Sequence, residues 1–146
     1  MTSWTEFAKQ APELAAFGED RFRSEVAYLG TLRADGSPRV HPVTPILGEQ
    51  LYLFMEPTSP KGKDLQRDDR YTLHCSVEDA DGGEGEFYVR GRAVLIDDPI
   101  LRAQAVQASP YDPQDRYILF MLTIEFAFMN TYVDGEPHPR RWRSPE

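Results

Sequence analysis

The sequence predicts a mainly β fold: a barrel or Greek-key sheet of five or six antiparallel strands, with short helices at the start and between late strands. Three observations predict it. β-rich runs recur from Val26 onward with turn residues between them. No helical stretch separates the first three runs, which disfavours a parallel α/β sheet. The last apolar run alternates Phe120, Leu122, Ile124, Phe126 and Phe128, a period of two that suits a strand and not a surface helix.

In chain order, "SWTEFAKQAPELAAFGEDRFRSE" reads as helix, with Ser3 and Glu6 spaced as a capping box. Pro12 divides it into two short helices, whose Trp4, Phe7, Leu14, Phe17 and Phe22 supply an apolar stripe. "VAYLGTL" follows, then the hairpin signal Asp35-Gly36, then "PRVHPVTPIL", the turn "GEQ" and "LYLFM". Three strands joined by tight turns predict an antiparallel meander. "RYTLHCSV" alternates as a half-buried strand should, and a polar loop, "EDADGGEGE", leads to the strand "FYVRGRAVLI". Asp98-Pro99 opens a helix, "ILRAQAVQA". "RYILFMLTIEFAFMNTYV" predicts one long strand or two with a bend, and "GEPHPRRW", with His138, a loop.

With 146 residues, 40% hydrophobic and 27% charged, the chain suits a single domain over 1–146, its segment 1–25 helical and 26–146 forming the β body. A net charge of −8 argues against nucleic-acid binding, which needs a basic surface to displace counterions. No apolar run approaches the ~20 residues of a membrane span. "MTSWTEFAKQ" lacks the basic and apolar regions of a signal peptide, so a cytoplasmic location is expected. Cys75, the single cysteine, has no partner for an internal disulfide. The acidic loop fails the spacing of a calcium-binding hand, and no cluster has metal-ligand spacing.

The stretch "TSPKGKDLQRDDR", 58–70, carries the main anomaly. Ser59-Pro60 is a helix N-terminus signal, which sets Lys61 and Lys63 in the first turn. Cations there face the positive end of the helix dipole, at a penalty of roughly 0.3–1 kcal/mol each. An external anion would reverse that penalty, since N–H groups, a hydroxyl and ammonium groups would converge on it and Gly62 would admit it to the backbone. The competing reading is a solvated loop in which the lysines answer Asp64, Asp68 and Asp69. A second anomaly is Pro42 and Pro45 inside a strand, which predicts a free edge or a bulge. Such an edge could hydrogen-bond a planar heteroaromatic ligand, or serve only to block aggregation. Arg90 and Arg92 flank Gly91, placed to pair with acidic neighbours or to line a groove.

The run from "YLGTLRADGSPRVHPV" through "LYLFM", Ser59-x-Lys61 and "DLQRDDRYTLH", with "YVRGRAVLID" and the late "RRW", resembles the flavin-binding split-barrel family related to pyridoxamine 5′-phosphate oxidase. The resemblance implies a six-stranded antiparallel split barrel of the FMN-binding type, with peripheral helices. It implies a homodimer with FMN at the interface, acting as an oxidoreductase on a small-molecule substrate. Ser59 and Lys61, with Lys63 nearby, would grip the flavin phosphate. Arg39, Val40, His41, Pro42, Val43 and Thr44 would run along the ring and ribityl chain, with Phe54 and Met55 at the end of the facing strand. Arg140, Arg141 and Trp142 would approach the cofactor, from the partner subunit. His41 is the one catalytic candidate, as a group that titrates near neutrality. Pro60 replaces the arginine of the oxidase's phosphate site, and His41 and Ile46 replace its arginine and lysine. The charge clamp is therefore weaker than in the oxidase itself. Two alternatives share the fold: a reductase using the deazaflavin F420, and a non-catalytic flavin- or haem-binding module.

Overall fold

The computed structural model describes residues 1–23 and 26–145. α1 (Trp4–Gln10) and α2 (Pro12–Phe22) precede β1 (Ala27–Leu32), β2 (Pro38–Val43), β3 (Ile46–Leu47) and β4 (Leu51–Met55). α3 (Pro60–Arg67), β5 (Arg70–Cys75), β6 (Glu86–Ile96) and α4 (Pro99–Ala108) follow, then β7 (Ile118–Leu122), β8 (Phe126–Val133) and β9 (Glu136–Arg143). The fold is mainly β, a curled antiparallel sheet with short helices at its periphery.

Nine strands stand among the described residues where the resemblance implies six. Thr44 and Pro45 split "RVHPVTPIL" into β2 and β3, because proline cannot donate to a ladder. The last apolar run breaks between β7 and β8. The expected "GEPHPRRW" loop is instead β9, paired with β8 along its whole length around a turn at Asp134 and Gly135, both with positive φ.

The strands are ordered β2-β1-β5-β6-β7-β4-β3, with β8 also on β6 and β9 on β8. The expected meander is therefore interrupted: β2 pairs with β1, β4 pairs with β3 and β7, and no ladder joins β2 to β4. β6 serves both halves. Residues 86–90 pair with β8 and 93–96 with β7, and the joint between them is Gly91. A Cβ on Gly91 would lie 2.1 Å from the Thr123 carbonyl oxygen, so a bare backbone is what lets the bend between β7 and β8 close onto β6. Thr123 fixes that bend by accepting from Tyr71 Oη at 2.6 Å through its carbonyl, and from Arg92 N at 3.0 Å through Oγ1.

α1 and α2 close one face of the larger half. Ser3 caps α1 by accepting from Glu6 N at 3.1 Å, and Trp4, Phe7, Phe22 and Phe87 form an aromatic cluster with centroid separations of 5.0–6.5 Å. Phe7, Phe22 and Phe87 are fully buried, each stabilising by roughly 1.5–3 kcal/mol. A second, smaller core of Ile46, Tyr52, Phe54, Ala105 and Leu119 lies under α4, whose N-cap Asp98 accepts from Ile100 N at 2.8 Å.

Candidate functional site

The sheet does not close between β2 and the β3–β4 pair, and several of the predicted site residues gather at this seam. β2 is an edge strand paired only to β1, which accommodates Pro38 and Pro42. β3 covers β4 only at Leu51 and Tyr52, so Leu53–Met55 lack a strand partner on that side. Along β2 the inward positions are Arg39, His41 and Val43, and the outward ones Pro38, Val40 and Pro42.

α3 leaves β4 through Ser59, and its cap is closed within the chain. Ser59 Oγ accepts from Gly62 N at 3.1 Å and donates to the Glu56 carbonyl at 2.8 Å, and Lys63 N donates to Ser59 O at 2.9 Å. The hydroxyl is thus not free to donate to an anion, contrary to the sequence expectation. Gly62 has a different role from the one expected as well. A Cβ there would lie 2.3 Å from the Glu56 carbonyl oxygen, so the glycine admits the chain's own backbone. Pro60 has no N–H, which leaves Lys61 N as the first-turn donor without an acceptor among the described residues.

The lysines do not answer the aspartates. Asp64, 2% exposed, accepts from Arg39 Nε at 2.7 Å, Arg67 at 2.9 Å and Thr31 Oγ1 at 2.8 Å. Burial alone would raise its carboxyl, but those hydrogen bonds together hold it below the usual range. Asp68 is bonded by Arg70, which takes it down to about 2, and Asp69 pairs with Arg92. Arginines saturate all three carboxylates. Among the described residues Lys61 and Lys63 have no ion pair, and the solvated-loop reading loses its pairing.

His41 completes the cluster. Its Nε2 is buried and has no hydrogen-bond partner among the described residues, an orphan that a built site would satisfy with a ligand. Burial, then the charges of Lys61 and Arg39, push the imidazole below its ordinary value, while Asp64 opposes the shift. His41 is therefore neutral at neutral pH, a hydrogen-bonding group more than an acid.

Other expected residues lie elsewhere. Phe54 packs in the smaller core under the Arg102 guanidinium, and Met55 in the larger one, so both side chains are core and only their backbone faces the seam. Trp142 packs on Phe7, 4.9 Å between centroids, while Arg141 lies on the other face of β9 over Phe128. Arg140 pairs with Glu13 of α2. Sequence reasoning missed the carboxylate that positions the seam, Asp64. Its only signal in the sequence is an aspartate beside Leu65, on the inward side of α3, directly after Lys61 and Lys63.

The match to known proteins agrees with this fold. A family model described as pyridoxamine 5′-phosphate oxidase matches residues 11–125. The chain belongs to this family. No curated protein matches the sequence. Among solved structures, a haem-binding protein from Mycobacterium smegmatis is 21% identical with a TM-score of 0.68, over 88% of this chain and 57% of that one. This family member thus spans little more than half of that protein's length. A NimC/NimA-family protein from Clostridium acetobutylicum is 18% identical, TM-score 0.68, over 95% and 94% of the two chains. An F420 reductase is 16% identical, TM-score 0.56, over 73% and 91%. At these identities the likeness is one of fold, the split barrel.

Proposed function

We propose that the chain binds FMN in the seam between β2 and α3 and works as a flavin-dependent oxidoreductase on a small-molecule substrate. One observation carries the reading. Lys61 offers an unpaired ammonium and an unused N–H beside the orphaned Nε2 of His41, at a strand edge with free backbone groups. These are the complements of a phosphate and of a polar, planar ring system. The residues fit the cofactor in kind: Lys61 and Lys63 would hold the phosphate, the β2 edge from Arg39 to Thr44 the ribityl chain and ring. Bound flavin would supply hydride or electron transfer, and the chain would supply position and electrostatics. His41, neutral, would donate or accept one hydrogen bond there without moving the net charge.

A homodimer accompanies this reading. Val26, Tyr28 and Val40 are exposed together on the outer face of β1 and β2, at 45%, 46% and 67%, an apolar patch suited to a second copy. Sedimentation of the purified protein tests it.

F420 and haem are the competing occupants, favoured by the fold neighbours that carry those names. Parallel titrations with FMN, F420 and hemin, each repeated on Lys61→Ala, decide among them. FMN binding that weakens in the variant supports the proposal. Binding of hemin or F420 alone replaces it.

A further inference from the structure

Between the β3–β4 turn and the C-terminal end of α4 lies a hollow of about 260 Å³, lined by Gly48, Glu49, Tyr52, Gln104, Gln107 and Ala108. A Cβ on Gly48 would stand 3.1 Å from the Cβ of Ala108, so the glycine sets how near the turn comes to the helix end. Gln104 and Gln107, three positions apart, share one exposed side of α4. Tyr52 reaches the hollow from beneath. Its ring packs with Ile46, Phe54, Ala105 and Leu119 in the smaller core, and its phenol end lies toward Glu49. Burial, then the charge of Glu49, raises the phenol above its ordinary value, so the hydroxyl keeps its proton.

We propose that this hollow binds a small primary amine in its ammonium form. Two independent observations carry it. Tyr52 is 1% exposed, and its Oη has no hydrogen-bond partner among the described residues. A buried hydroxyl left unmatched is a standing penalty, which an N–H from a ligand would remove. The second observation is that the charge around the hollow is of one sign. Its lining holds no lysine, arginine or histidine, and Glu49 makes no ion pair among the described residues. α4 ends here with the negative pole of its dipole, and no basic residue stands in its last turn. An ammonium group carries three donors and no acceptor. The Glu49 carboxylate, the Tyr52 hydroxyl and a glutamine side-chain carbonyl are acceptors for all three. Gly48 and Ala108 leave room for a short apolar body. The volume lies just under the ~300–1,000 Å³ of drug-sized sites, which suits a ligand of few heavy atoms. The hollow does not include Lys61 or His41, so the proposal does not rest on the flavin reading.

NMR titration of the full chain with n-butylammonium chloride, and with its neutral isostere n-butanol at matched ionic strength, tests this. Saturable shifts of the Gln104 and Gln107 side-chain amides are expected with the ammonium, and binding about threefold weaker or worse with the alcohol. Glu49→Gln should weaken the ammonium about threefold with an unchanged urea midpoint, since Glu49 is exposed. Tyr52→Phe should weaken it about fivefold, yet unfold at the same urea concentration or a higher one, because the variant removes an unmatched hydroxyl from the core. Lys61→Ala should leave the amide shifts in place while weakening FMN, which separates the two sites. Equal binding of ammonium and alcohol, saturation by neither, or loss of the shifts in Lys61→Ala would each overturn the proposal. Earlier unfolding of Tyr52→Phe would overturn it too, since the hydroxyl would then be matched within the fold.

Discussion

α3 carries basic groups at both of its ends, and the two ends behave in opposite ways. In its body, Asp64 is buried and satisfied three times over, by β1 through Thr31, by β2 through Arg39 and by its own helix through Arg67. At its N-terminus, one turn away, Lys61 and Lys63 have no acid among the described residues, and the neighbouring His41 has a buried nitrogen without a partner among them. The first arrangement holds α3 against the β1–β2 hairpin. The second leaves polar groups unsatisfied where the sheet fails to close. Satisfied buried groups report on folding; unsatisfied ones at an opening report on binding. Substitutions at the two ends should therefore separate stability from affinity.

The largest effect falls on the satisfied end. Asp64→Asn removes the charge that two arginines share, and should destabilise by about 3 kcal/mol, the lower part of the range for breaking a buried pair because both arginines reach solvent. Urea unfolding measures it. The sign of its pH dependence follows from the lowered carboxyl. The stabilisation is complete above the ordinary 3.8 and fades as pH falls through the folded value, so the gap between wild type and variant should narrow only in acid. A gap that is constant down through that range would mean that Asp64 is not the titrating group.

Gly62→Ala comes next. The new methyl must displace the Glu56 carbonyl, at about 1–3 kcal/mol, and the loss should appear in thermal unfolding without FMN. If the variant is as stable as wild type, Gly62 serves a ligand after all, as its sequence context first suggests. Lys61→Ala, at the other end, should weaken FMN about tenfold or more while leaving the urea midpoint within about 0.5 kcal/mol.

The smallest effect is a titration. The His41 ring should titrate below 6.5 by NMR, and bound FMN should move that midpoint upward by offsetting the charge of Lys61. A midpoint unmoved by FMN places the phosphate elsewhere.

The fold was largely legible because its signals are local. Asp35-Gly36, Ser59-Pro60 and Asp98-Pro99 each start or turn an element through their own backbone chemistry, and the structure puts a turn or a cap at all three. What was not legible depends on distant partners. Pro45 marks a break, but only the pairing shows that the chain crosses there from one half of the sheet to the other. Gly91 reads as an ordinary strand glycine until Thr123, 32 positions later in sequence, comes against it. β9 has two prolines and three arginines in eight residues, a composition that suggests loop, and pairing with β8 overrides it. At the site, the sequence indicated that Lys61 and Lys63 need an explanation, and could not show which carboxylates were already taken. The pairing of Asp64, Asp68 and Asp69 to arginines is what leaves the lysines without those acids, and it is a three-dimensional observation.

The most direct test of the account is an FMN titration of wild type and Lys61→Ala at equal concentration, followed by absorbance, with a urea unfolding curve for each. The account predicts unchanged unfolding and an affinity about tenfold lower or worse in the variant. Equal FMN affinities in two equally stable proteins would contradict it, and the unpaired lysines of α3 would not be a phosphate site.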